Sequence, residues 1–468
     1  MPSSKIILKI FFTLTLCLTI SMKSIAGGYE LAGVGAKALA MAGAFRGIAD
    51  DWSAMYWNPA GLVGQENSVY ADLKILYPMV WVTPNVTSGY PGYEGYRNGV
   101  EHSTAEKAYP AGSFGLTYRK NDDMTLGFSV FAPAALGAEW KGLFTGPPYG
   151  YHNTEPYTEL GWFSDLKVID IHPTIGYRVN DQLSVGLGIS IQYGIIELRS
   201  PNTVPSGAPY PFEHFYVDAT LEGSGMGYGF NVGMMYKMTD AMNIGLSYRG
   251  PTTIAIEGEV KQTLYLPNAP GLGLADPSKA HLFNGGTIEV EPDGKADFPL
   301  PMDFGAGVAY QATRNLTVAF DVTWTNWGDV DIVTIEVDGN SPTGEPSENS
   351  ELVLKYEDTI KFSFGFDMLV NAEHDFHIVG GYYFDPSPIP DGSLRPSISD
   401  VNDKNNISVG LSHALSNGFS LEGYYEKVFT DSRVVESIDI DNNGSIDNLA
   451  GEWKFQVDTF GITIGYNF

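Results

Sequence analysis

Hydrophobic residues recur at every second position in fourteen short runs along this chain. Leu183, Val185, Leu187, Ile189 and Ile191 make one such face, and Ile360, Phe362, Phe364, Phe366 and Met368 another, with Ser, Gly, Asp and Lys between them. A period of two with one wholly apolar face predicts strands that meet lipid on one side and a polar lumen on the other. The strands fall near 67–82, 112–120, 123–135, 168–178, 181–199, 226–237, 242–256, 303–311, 314–328, 357–370, 375–385, 404–414, 417–430 and 454–468. Links such as Lys120 to Asp123, Val179 to Gln182 and Met238 to Ala241 are tight, whereas 83–111, 200–225, 257–302 and 329–356 read as long irregular loops. Short periplasmic turns alternating with long outer loops predict an antiparallel outer-membrane β-barrel of fourteen strands, with both ends on the periplasmic side.

The start of the chain predicts export. Lys5 and Lys9 precede an apolar stretch from Ile10 to Ile20, and Ser24-Ile25-Ala26 offers small residues for cleavage after Ala26, so 1–26 reads as a signal peptide. That stretch falls short of the ~20 apolar residues of a spanning helix. Cys17, the only cysteine, lies inside it, which leaves the mature chain without thiol chemistry. The last strand alternates Phe460, Ile462, Ile464, Tyr466 and Phe468, resembling the terminal signal that the barrel assembly machinery reads.

Net charge is −28, and −31 without Lys5, Lys9 and Lys23, which disfavours nucleic acid as a partner. Much of the acidity lies in the outer loops, facing lipopolysaccharide and outer-membrane lipid. One acidic loop, Asp439, Asp441, Asn443, Gly444, Ser445 and Asp447, places oxygen ligands at alternate positions with Gly sixth, as in the first part of a calcium loop. Ala450 stands where the twelfth, bidentate acid belongs, so a solvated Asp/Asn turn competes with structural calcium; no other cofactor is required. The eight His residues form no constellation with a Ser nucleophile, so the chain does not read as an enzyme.

Residues 27–66 are not strand. Gly33, Gly35, Ala36, Ala38, Ala40, Ala42, Gly43 and Ala44 pack closely around Leu39, Met41 and Phe45, Asp50 and Asp51 cap a short helix near Trp52 to Tyr56, and Pro59 ends it. A barrel of this width needs filling, so the segment predicts a small, partly helical plug, or hatch, inside 67–468. Gly47-Ile48-Ala49-Asp50-Asp51 followed by Asn58-Pro59-Ala60-Gly61-Leu62 resembles the hatch of the FadL family of outer-membrane transporters of long-chain fatty acids and aromatic hydrocarbons. Leu300-Pro301, Asp321 to Trp327, Pro386 to Pro390 and Phe468 extend the similarity along the chain.

The resemblance implies a monomer that moves hydrophobic small molecules passively, without ATP or TonB-type coupling. Substrate passes from a groove in the outer loops to a lumen pocket, then leaves sideways at a kink in the third strand. Here Ala132-Pro133-Ala134-Ala135 supplies the kink, because proline cannot donate a ladder hydrogen bond, and Asn58 carries over as its hatch partner. Leu143, Phe144, Tyr149, Tyr151, Trp162 and Phe163, with 264–283, are the candidate uptake groove; mutual packing of the loops into a cap is the competing reading. A fatty-acid carboxylate entering an apolar pocket needs a cation, and Arg199, Arg249 and Lys361 are the candidates, although inward acids such as Asp321, Asp367 and Glu426 compete for them. A hydrocarbon needs no cation. A general diffusion porin is the remaining alternative, disfavoured by the hatch.

Overall fold

In the computed structural model, described over 28–468 except 91, 146–160, 206–213, 270, 272–276, 343, 374, 399, 416 and 417, fourteen strands close into one antiparallel barrel. They are β1 (Ser68–Pro84), β2 (His102–Ser103 and Tyr109–Arg119), β3 (Met124–Glu139), β4 (Phe163–Arg178), β5 (Leu183–Pro205), β6 (His214–Thr239) and β7 (Met242–Arg249 and Thr252–Tyr265). There follow β8 (Thr287–Val290, Asp293–Leu300 and Asp303–Thr313), β9 (Leu316–Thr325 and Ile332–Asp338), β10 (Ser350–Val353 and Thr359–Asn371), β11 (Phe376–Asp385), β12 (Lys404–Ala414), β13 (Phe419–Thr430 and Arg433–Val435) and β14 (Gly451–Asn467). β1 and β14 pair from Ser68↔Asn467 to Pro84↔Gly451 and so close the wall. Closure satisfies the backbone within the sheet, the condition for spanning a bilayer with strands.

Five of the turns at the periplasmic end share one device. Asn121, Asn180, Thr239, Thr313 and Asn371 each accept a bond from the backbone N–H two residues on, a side-chain turn that reverses the chain in a few residues. At the other end the predicted irregular loops are partly strand. Residues 214–225, 257–265, 287–290, 293–300, 332–338 and 350–353 carry the sheet outward. Their pattern is easily missed because the outward face there is charged, as in Glu257, Glu259 and Lys261, while Ile254, Ile256 and Val260 are buried inward. The alternation also changes phase. Ile244, Leu246 and Tyr248 lie on the outward parity below Gly250-Pro251, whereas Thr253 and Ala255 are outward above it, and β8 switches likewise at Pro301-Met302.

Residues 28–66 fill the lumen. They carry α1 (Ala36–Ala40), α2 (Ala54–Trp57) and a 3-10 turn at Pro59–Leu62. Asp51 Oδ1 accepts from the Ser53 amide at 2.7 Å, and Asn58 Oδ1 accepts from the Ala60 amide at 3.2 Å. Small residues let this segment meet the wall closely: a Cβ on Gly233 would lie 2.1 Å from Asn58 Oδ1, and one on Gly245 1.9 Å from Arg46 O. Polar bonds then fix it. Lys74 Nζ donates to Gly33 O (2.6 Å), Asn231 Nδ2 to Met55 O (2.9 Å) and Ser408 Oγ to Ala40 O (2.8 Å). Arg46 spans Asp321 (3.4 Å) and Asp303 (3.7 Å), and its amide donates to Asp321 at 2.9 Å.

Removing one partner of a buried ion pair strands the other charge, at a cost on the order of 3 kcal/mol. Asp321→Ala is therefore expected to release the hatch while the barrel persists. Limited proteolysis should cut 28–66 in the variant, with the heat-modifiable mobility of the barrel on gels unchanged; a protected hatch would show that Asp321 does not hold it.

Candidate functional site

The wall is interrupted beside the hatch between β2 and β3. β2 and β3 pair from Arg119↔Thr125 up to Phe114↔Val130 and then part. They meet again at Thr104↔Trp140, where the Ala105 amide donates to Glu139 O at 2.7 Å. Between those levels, 106–113 and 131–138 leave a window. Its cause is local to β3. Phe131 faces Asp170 and Ala134 faces Val168, so Ala132 and Pro133 stand against a single residue of β4, a bulge that bends the strand.

The hatch occupies this window. The Leu31 amide donates to Pro133 O at 3.0 Å and the Ala135 amide to Tyr29 O at 3.1 Å, making Glu30 an antiparallel bridge partner of Ala134. Tyr29 is fixed by the opposite wall: its ring lies 4.7 Å from Phe298 and 5.0 Å from Trp327, and its hydroxyl donates to Pro299 O. Residues 29–31 thus cross the lumen as a strut. Tyr109 narrows the window above it, since a Cβ on Gly137 would lie 2.8 Å from the Tyr109 ring.

A cavity of about 680 Å³ runs from the lumen to this window. Its apolar length is lined by residues such as Leu31, Leu76, Leu166, Val428, Phe455 and Val457, and it reaches Ile169 and Ile195 on the lipid-facing side. Its lumen end is charged. Arg249 lies 3.4 Å from Asp303 with its guanidinium 4.2 Å from the Tyr56 ring centre, and Lys361 lies 3.7 Å from Asp385 with Nζ 3.9 Å from the Tyr383 ring centre. Glu30 shares this space; burial and then Asp303 push its carboxyl up to about 7, against the pull of Arg249. Asp400, in the loop before β12, is likewise pushed up to about 6 by burial, with Lys404 2.7 Å away opposing the shift. Lys107 and Lys167 stand at the window end.

The predicted residues divide accordingly. Pro133, Ala134 and Ala135 form the kink, and Arg249 and Lys361 line the cavity. Arg199 does not: it faces outward near Glu197 (3.5 Å) and Asp218 (3.9 Å) on a wall extension. Asn58 does not face the kink either. Its amide donates to Arg46 O (2.9 Å) and to Met234 O of β6 (3.1 Å), while Pro59 and Ala60 abut Gly186 and Ser184 of β5. The kink's hatch partner is Glu30, which no pattern in the sequence marks; inward parity with Asn406 and Ser408 does mark Lys404.

The groove residues are cap core instead of an exposed patch. Leu143, Phe144 and Trp162 are buried, with Phe144 5.1 Å from the Tyr96 ring and Trp162 Nε1 donating to Tyr96 Oη at 2.8 Å. Leu264 and Phe283 are buried in a separate cluster with Phe215. Phe163 faces outward beneath Lys107 and Arg199. Tyr149 and Tyr151 lie outside the described residues, as does the predicted signal peptide. In the acidic loop, carboxylate oxygens of Asp439, Asp441 and Asp447 converge within 4.8 Å. They already accept backbone bonds from Asn443, Gly444 and Ile440, which fold the loop as an Asp/Asn turn; Asn443 Oδ1 accepts from the Ser445 amide.

A closed barrel filled by its own N-terminal segment and opened sideways beside a kinked strand defines a plugged β-barrel with a lateral opening. Over residues 17–468 the chain matches the family described as outer membrane protein transport protein (OMPP1/FadL/TodX), and it belongs to that family. It is 22% identical over 466 residues to a putative outer membrane protein of Neisseria meningitidis serogroup B, covering 95% of both chains. It is 21% identical to the long-chain fatty acid transport protein of Escherichia coli O6:H1 over 64% of this chain and 65% of that one. Among solved structures, a Pseudomonas aeruginosa FadL homologue superposes with a TM-score of 0.75 at 17% identity, covering 94% of this chain and 100% of that chain. The Pseudomonas putida toluene transporter TodX superposes with a TM-score of 0.70 at 17% identity, covering 94% and 99%.

Tyr109→Ala removes the ring over Gly137 and is expected to widen the window. Cells carrying it should become more sensitive to large hydrophobic antibiotics at unchanged surface expression; unaltered sensitivity would assign Tyr109 to wall packing alone.

Proposed function

We propose that this transporter takes up long-chain fatty acids, from the outer cap into the lumen cavity and then sideways through the window between β2 and β3. The observation that carries this reading is a continuous cavity joining the charged lumen end, at Arg249 and Lys361, to lipid-facing Ile169 and Ile195. An apolar chain gains little by entering watery periplasm but loses no favourable contact in passing sideways into lipid. Its carboxylate needs a donor when it leaves water, and among the cations lining the cavity Arg249 and Lys361 lie nearest an aromatic ring centre, at 4.2 and 3.9 Å. Movement is passive, the protein acts as a monomer after signal removal at Ala26, and Phe468 directs it to the assembly machinery.

Aromatic or aliphatic hydrocarbons are the second reading. The apolar length of the cavity suits them, and one structural relative is a toluene transporter. Lys361→Gln separates the two. Loss of a charge-assisted contact worth about 1.5–3 kcal/mol should weaken fatty-acid binding by about tenfold or more and leave an alkane of equal length unaffected. No loss for either favours hydrocarbons. Ala134→Trp, whose ring would collide with residues 29–31, should cut uptake by about tenfold while the barrel still assembles; normal uptake at equal surface expression would take the window out of the route.

A further inference from the structure

We infer that Glu30 occupies the headgroup position as an internal competitor, and that an anionic headgroup displacing it also loosens the strut across the window. This rests on the fatty-acid reading above and adds to it the group through which the ligand's charge reaches the gate.

The backbone and the side chain of Glu30 belong to different sites. The backbone on either side of it, at Tyr29 and Leu31, makes the two hydrogen bonds that join the hatch to Pro133 and Ala135. The side chain lines the cavity with Arg249, Lys361, Asp303 and Asp385. Asp303 and Asp385 are carried by β8 and β11, each within 4 Å of a cation. Glu30 makes no ion pair that close among the described residues, and it is carried by the strut instead of the wall. It nevertheless lies in the field of both cations.

A ligand carboxylate arriving at Arg249 and Lys361 therefore adds an anion beside acids fixed on the wall and its loops, Asp303, Asp385, Asp400 and Glu426, and one on a movable segment. Like charges in a water-poor space repel strongly. The fixed acids cannot leave, so Glu30 gives way by moving or by taking a proton. Burial disfavours its charged form, and among the described residues it lacks the close cation that Asp303 and Asp385 each have. Movement of Glu30 strains only the two backbone bonds at Pro133 and Ala135, since the Tyr29 ring remains held by Phe298 and Trp327. A neutral hydrocarbon exerts no such push. The device thus couples headgroup charge to opening of the window, and makes Glu30 a specificity determinant for anionic over neutral ligands.

The test uses the full chain in detergent micelles with a long-chain fatty acid and the primary alcohol of equal length. Hydrogen exchange is followed for segments 29–35 and 131–138 in wild type, Glu30→Gln, Lys361→Gln and the double variant. The fatty acid, but not the alcohol, should speed exchange in both segments of wild type. Glu30→Gln should tighten fatty-acid binding about fivefold or more, leave the alcohol unchanged and abolish the acid-specific exchange. In the Lys361→Gln background, Glu30→Gln should gain less. If Lys361→Gln weakens fatty-acid binding but Glu30→Gln alters neither affinity nor exchange, the headgroup reading stands and the competitor role is overturned. If Glu30→Gln tightens acid and alcohol equally, the side chain acts by bulk and the role is again overturned. If wild type binds acid and alcohol alike and Lys361→Gln is silent, the fatty-acid reading fails and takes this inference with it.

Discussion

A backbone amide or carbonyl left unpaired in hydrocarbon costs several kcal/mol, and this constraint shapes the molecule. The wall meets it by closing β1 on β14. The window breaks it, because β2 and β3 part above Phe114 and Val130. Two features limit the damage. Pro133 carries no N–H to leave stranded, and the hatch lends Tyr29 and Leu31 to pair with Ala135 and Pro133. The gate is thus a replaceable piece of sheet edge, and whatever opens it must leave those groups to water, ligand or lipid headgroups.

The hatch is held unevenly. From Gly33 to Leu62 its backbone is tied to the wall through Lys74, Asp321, Asn231, Ser184 and Ser408, and inward glycines such as Gly233 and Gly245 let it approach without a gap. Residues 29–31 are held by the two backbone bonds at the kink and by the Tyr29 side chain, through its ring contacts and its hydroxyl bond to Pro299 O. Rigid and yielding parts therefore adjoin within a few residues, which confines any rearrangement to the piece that blocks the window.

The barrel was legible because lipid enforces strict alternation, and the turns because links such as Lys120 to Asp123 and Val179 to Gln182 are too short for anything else. Of the hatch, the short helix near Trp52 to Tyr56 and its end at Pro59 were legible, whereas α1, read only as a run of small residues, was not. The outer halves of β6 to β9 were not, because beyond the lipid zone the apolar face turns inward while the outward face is charged, and the phase shifts at Pro251 and Pro301 break the count. Leu143, Phe144 and Trp162 looked like an exposed patch since composition does not tell a groove from a cap; Tyr96 and its neighbours decide it. Arg199 and Asn58 failed for a related reason. Parity and resemblance give a face and a segment, whereas the partner is set by how far the wall rises and how the plug turns inside it. Glu30 was invisible because a two-bond bridge leaves no period.

The seam between β1 and β14 also governs how the molecule is made. Partners such as Ser68 and Asn467 stand at opposite ends of the barrel sequence, so the loop that must close is nearly the whole chain. The hatch leans on the same late strands: the Ala36 amide donates to Thr463 Oγ1 at 3.1 Å and the Lys37 amide to Glu422 at 3.2 Å. Contacts of such long range form last and slowly. The plug is thus synthesised before the barrel strands yet is among the last segments to find its partners, and it must wait, its apolar face unsatisfied, until the late strands arrive to enclose it.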